Sequence, residues 1–168
     1  DNITATDNGS GEYEFLTATG DSDIIVYEGQ VKQKTFLVGP YSESLVYVIP
    51  EPTIDTSTAI VRVYESATSS NFTTYSDIVE ATVINDDTTL YILKEAPNGF
   101  YELSFGDGIT LGKSPESGNK VVVDYLKTNG TLANTAKVFV PSSSVAVNGV
   151  NYELAISTVT SALGGSDE

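Results

Sequence analysis

No stretch of ten residues in this chain keeps apolar side chains at the three- and four-residue spacing of a helix, and this absence most constrains its fold. Val, Ile, Thr, Tyr and Phe instead gather in short runs separated by Gly, Asn, Asp and Ser. Branched and aromatic side chains suit a pleated, half-buried surface, and turn residues at short intervals punctuate strands. The expected fold is therefore mainly β. Short antiparallel strands and hairpins should form sandwich-like sheets in two β subdomains, with little helix.

Strands are predicted at Ile24–Glu28, Lys34–Val38, Leu45–Ile49, Ile60–Glu65, Thr88–Lys94, Phe100–Phe105, Lys120–Lys127 and Val138–Val140. Pro50 and Pro52 should stop the third, because proline has no N–H for a ladder. Tyr75–Ala81 reads as a short strand or a helical turn, and so does Ser157–Leu163. Asn98-Gly99 and Asn148-Gly149 are hairpin signals, since both residue types tolerate positive φ. The second should join Val145–Val147 to Val150–Ile156, and Asn129-Gly130 is a further turn. On Lys120–Lys127, Val121, Val123 and Tyr125 share one face, and Val122, Asp124 and Leu126 the other. The organisation expected is a linker or edge segment at 1–23, β subdomains at 24–84 and 85–140, and a terminal hairpin and tail at 141–168. A chain of 168 residues that opens on Asp1 and has no methionine is expected to be a fragment of something longer.

Composition narrows the chemistry. Without cysteine there is no disulfide, thiolate metal site or thiol nucleophile. Without histidine there is no Ser-His-Asp triad and no imidazole base. A formal charge of -15 repels phosphate backbones and anionic membranes, so neither nucleic acid nor membrane is an expected partner. No apolar run approaches the roughly 20 residues that span a bilayer.

The segment GDGITLGKS superficially resembles a nucleotide loop. Gly112-Lys113-Ser114 supplies the end of that pattern, but Asp107 stands where its first glycine belongs. Pro115 and Gly118 follow where a helix should run, so Gly106-Asp107-Gly108 reads as a sharp corner. Three acid pairs, Asp21 with Asp23, Asp86 with Asp87 and Asp107 with Glu116, lack the ligand spacing of a calcium loop and read as solvated turns. Carboxylates suited to glycoside cleavage cannot be singled out among 23 acids, and no Gly-x-Ser-x-Gly elbow occurs. The sequons at Asn2, Asn8, Asn71 and Asn129 are expected from composition alone. No catalytic, cofactor-binding or metal-binding residue is assigned.

Three blocks carry a resemblance: IIVYEGQVKQKTFLV (Ile24–Val38), IPEPTIDTSTAIVRVYES (Ile49–Ser66) and LKEAPNGFYELSFGDGITLGKSPESGNKVVVDYLKTNGTLAN (Leu93–Asn134). In content and order they resemble the baseplate wedge proteins of contractile-tailed bacteriophages, the J-like baseplate family. The cluster Gly-Phe-Tyr-Glu, Phe-Gly-Asp-Gly and Gly-Lys-Ser-Pro is its most specific part. The resemblance implies a structural, non-enzymatic subunit of the virion tail baseplate, assembled in the host cytoplasm. It would form a homodimer and meet other wedge subunits, without a cofactor. A carbohydrate- or cell-surface-binding β-sandwich module, using Asp107 or Asp21 with calcium, is the alternative expectation.

Overall fold

The computed structural model describes residues 3–7, 9, 13–17, 26–40, 42, 45–158 and 160–165. It is mainly β and divides into two compact units. The larger is Gly29–Thr128; the other joins Asp1–Glu28 to Asn129–Glu168.

In the second of these, β1 (Ile3–Asp7) pairs antiparallel with β2 (Tyr13–Thr17), inside the stretch expected to be a linker or edge element. Val26–Glu28 form no strand, and Ile24 and Ile25 lie outside the described residues. The larger unit holds a seven-stranded sheet built from β3 (Gln30–Leu37), β4 (Tyr47–Ile49), β5 (Ile54–Tyr64), β6 (Phe72–Asp77), β7 (Leu90–Glu95), β8 (Tyr101–Phe105) and β9 (Lys120–Lys127). Back in the smaller unit, β10 (Val145–Val147) and β11 (Val150–Tyr152) close a hairpin on Asn148 and Gly149, both at positive φ. That is the backbone a two-residue turn needs to match strand twist. Val138–Val140 form no strand; Val138 and Val140 stand exposed. Here Asn134 exchanges two 2.9 Å hydrogen bonds with the backbone of Gly165, and the Glu28 carboxylate accepts from the Asn129 backbone and side chain.

The large sheet runs β3-β9-β5-β6-β7-β8-β4 and is nearly closed. Its ladders are antiparallel except β6 with β7, which pair in parallel at Ser76↔Leu90 and Asp77↔Tyr91. A parallel pair needs a long crossover, and residues 78–89 provide it, beginning with a 3-10 turn at Ile78–Glu80. The predicted choice of strand or helical turn over Tyr75–Ala81 is thus resolved as both in succession. The expected subdomain boundary at Asn85–Thr88 falls inside this unit, because β9 lies between β3 and β5.

The core lies on one face of this sheet. Val121, Val123 and Tyr125 of β9 meet Val61 and Val63 of β5, Ile49 of β4, Leu103 of β8 and Tyr75 of β6. Ile49, Val61, Leu103, Val121 and Val123 are fully buried. Side chains of this size each contribute about 1.5–3 kcal/mol on leaving water. Between Asp55 and Ile60 the ladder of β5 with β9 is broken by a bulge. Asp55 accepts from Ser57, and the Thr58 hydroxyl accepts the Leu126 N–H at 3.0 Å, so the missing ladder bond is replaced locally.

Candidate functional site

Strand β8 ends at Phe105, and the chain turns through Gly106 to Gly112. The Asp107 N–H donates to the Leu111 carbonyl at 3.2 Å, and the Gly108 N–H to the Gly112 carbonyl at 2.8 Å. At Gly106 the backbone is so close that a Cβ would sit 1.9 Å from the Leu111 carbonyl oxygen, so only glycine fits. The corner is tied to the Asn85–Thr88 turn: Gly112 N–H donates to Asn85, and Lys113 N–H to Thr88, both at 2.8 Å.

Asp107 fills this corner with its own anion. Its Oδ1 accepts the N–H groups of Ile109, Thr110 and Leu111, each at 2.8 Å, and its Oδ2 accepts the Thr110 hydroxyl at 3.1 Å. These backbone bonds hold the carboxyl far below the usual carboxylate range, because each stabilises the charged form. A phosphate loop aims such N–H groups at an external anion. Here three of them converge on an internal carboxylate. Lys113 is exposed, and residues 113–119 form no helix. The donors of Ile109, Thr110 and Leu111 are thus taken up within the loop itself.

The other sequence candidates are not brought together. Asp21 and Asp23 lie outside the described residues, as do Asn2 and Asn8. Asp86 and Asp87 occupy an exposed turn that Asn85 and Thr88 stabilise; Asn85 Oδ1 accepts the Asp87 N–H at 3.0 Å. The Glu116 N–H donates to Asn119, and Asp107 is committed to its own loop. Among the described residues no cluster of three or more acids is placed to hold a metal ion. Asn71 bonds Glu65, and Asn129 bonds Glu28.

What remains is surface. The sheet leaves two margins, β3 and β4, each paired on one side only among the described residues. Beside β4, a groove of mixed character is lined by Leu45, Phe105 and Ile109 together with Ser104, Asp107 and Ser114. On the outer face, Asp124 pairs with Arg62 and accepts the Gln33 amide at 2.7 Å. Arg62 also lies over the Phe72 ring, and Lys120 over the Tyr64 ring at 4.2 Å. Sequence reasoning expected unpaired strand edges but did not say which strands form them. Their one signal was Lys32 and Lys34 on positions that alternate with Phe36, where a central strand would carry apolar residues.

Comparison with protein-family models and with curated proteins finds no match.

Proposed function

We propose that this chain is a structural part of a contractile phage tail baseplate wedge, acting by contact with a second copy of itself and with other wedge subunits. The observation that carries the reading is Asp107 closing its own corner. The segment with the strongest ligand-loop look spends its N–H donors internally, so its glycines serve to shape a rigid part. That corner lies within the Gly-Phe-Tyr-Glu, Phe-Gly-Asp-Gly and Gly-Lys-Ser-Pro cluster, the most specific part of the resemblance to baseplate wedge proteins. The margins β3 and β4, each unpaired on one side among the described residues, also support a role in contacts, because strand margins are surfaces other chains cover.

Sedimentation velocity tests this. The chain alone should show a concentration-dependent dimer, and mixing with baseplate wedge subunits should produce a faster boundary containing both. A chain that sediments as a monomer at every concentration and every mixing ratio would overturn the proposal.

A further inference from the structure

We propose that the margin of β3 left unpaired among the described residues docks an extended, acidic segment of a partner protein, which adds to the sheet as a further strand. The inference rests on the protein-contact reading above. Among the described residues β3 pairs with β9 alone over Gln30–Leu37. The strand at the opposite margin, β4, is only Tyr47–Ile49. The two meet through Phe36 and Tyr47, at one end of β3, while the stretch toward Gln30 has no described strand on its other side. A row of backbone groups in that position is the template that strand addition uses.

Charge selects the occupant. The chain carries -15 overall, yet five of its eight basic residues, Lys32, Lys34, Arg62, Lys120 and Lys127, lie on the neighbouring strands β3, β9 and β5. Only Asp55 and Asp124 oppose them there. Arg62 is paired with Asp124, and Lys127 with Glu51. Lys32 and Lys34 have no ion-pair partner among the described residues. Lys32 stands opposite Tyr125 and Lys34 opposite Val123, which places both on the core-facing side of the open margin. An incoming strand would set alternate residues beside these two lysines and the intervening ones beside Val31, Gln33 and Thr35. Its favoured pattern is acid, any β-branched or polar residue, acid. A second copy docked edge to edge would bring lysine against lysine, which like-charge repulsion disfavours.

The probe is a labelled peptide, Thr-Val-Glu-Thr-Glu-Val-Thr, with a counterpart carrying Lys in place of Glu, read by fluorescence anisotropy. The acidic peptide should bind the chain and protect β3 amides from hydrogen exchange. Raising the salt, or the double change Lys32→Glu with Lys34→Glu, should weaken it by about tenfold or more, and the double variant should prefer the basic peptide. Circular dichroism verifies that the variant keeps its sheet. No binding of the acidic peptide, or equal binding to the double variant, would overturn the inference. So would a dimer abolished by the double variant, which would assign the margin to a second copy. A chain that sediments with wedge subunits but ignores the peptide loses this inference alone; one that binds the peptide but never joins the wedge loses only the baseplate reading.

Discussion

The Phe36 ring on β3 lies 5.1 Å from the Tyr47 ring on β4, centroid to centroid, and this contact joins the two margins of the sheet. Tyr47 in turn meets Phe105 edge-on at 6.0 Å, and Phe105 meets Tyr75 at 5.3 Å. Among the described residues no hydrogen-bonded ladder joins β3 to β4, so closure here depends on rings, each such pair contributing about 0.5–1.5 kcal/mol beyond its buried area.

Replacing Tyr47 separates ring from hydroxyl. Tyr47→Ala removes a buried ring and should cost about 3–5 kcal/mol. Tyr47→Phe should hold or raise stability, because the hydroxyl is buried with no hydrogen-bond partner among the described residues and burial raises its pKa. Urea denaturation of both variants reads the difference. A large loss on Tyr47→Phe would reveal a partner for that hydroxyl.

Asp107→Asn should lower Tm by several degrees at neutral pH, since an amide replaces the charge that three N–H groups converge on. The folded carboxyl is depressed below its unfolded value, so its contribution is present above about pH 4 and fades as pH falls further. The variant should therefore lose less stability on acidification than the parent. Melting curves across that range decide it, and parallel acid profiles would contradict the assignment.

Gly106→Ala and Lys113→Ala form a contrasting pair. A methyl at Gly106 collides with the Leu111 carbonyl, and overpacking of that kind costs about 1–3 kcal/mol or more. Lys113 is exposed, and its backbone supplies the tie to Thr88, so its truncation should stay within about 0.5 kcal/mol. Thermal melts of the two measure this, with calorimetry expected to show no heat on adding ATP to the parent chain.

Gly99→Val should destabilise the β7–β8 hairpin by about 1–2 kcal/mol, because Gly99 sits at φ +76°. Asn98 has no positive φ; its side chain accepts the Phe100 N–H at 3.0 Å, so Asn98→Ala should cost less. Chemical denaturation gives the ranking, and equal losses would contradict it.

Tyr91 predicts alkaline behaviour. Burial, with the Asp77 and Glu80 carboxylates, pushes its phenol up to about 12. An acid whose pKa is raised on folding stabilises fully below its unfolded value, near 10, and that contribution is lost as pH climbs toward 12. Tyr91→Phe should flatten part of this loss, at a cost of about 0.5–1.5 kcal/mol for the bond its hydroxyl donates to Ala59. Ultraviolet titration of phenolate formation checks it.

The strand content was legible because alternation is local: Lys120–Lys127 was read to the residue, and Val121, Val123 and Tyr125, grouped on one face without saying which, are the ones that pack in the core. The corner at Gly106-Asp107-Gly108 was legible too, from its glycines and missing helix. Pairing was not. Nothing near Lys120 indicates that this strand lies between β3 and β5, since those partners are distant in sequence. The Asn-Gly pairs at 98–99 and 148–149 also look alike in sequence, yet Asn148 adopts positive φ and Asn98 does not; the Ala96–Gly99 turn, closed by a 2.8 Å bond, needs only its glycine there. Val138 and Val140 mislead for a related reason: a branched pair favours extension but does not supply a neighbouring strand.

The most direct test of the central claim is electron cryomicroscopy of an assembled contractile-tail baseplate containing this chain. The seven-stranded sheet should lie within wedge density, with its margins against neighbouring subunits. A baseplate fully accounted for by other subunits, with no density for this sheet, would contradict it.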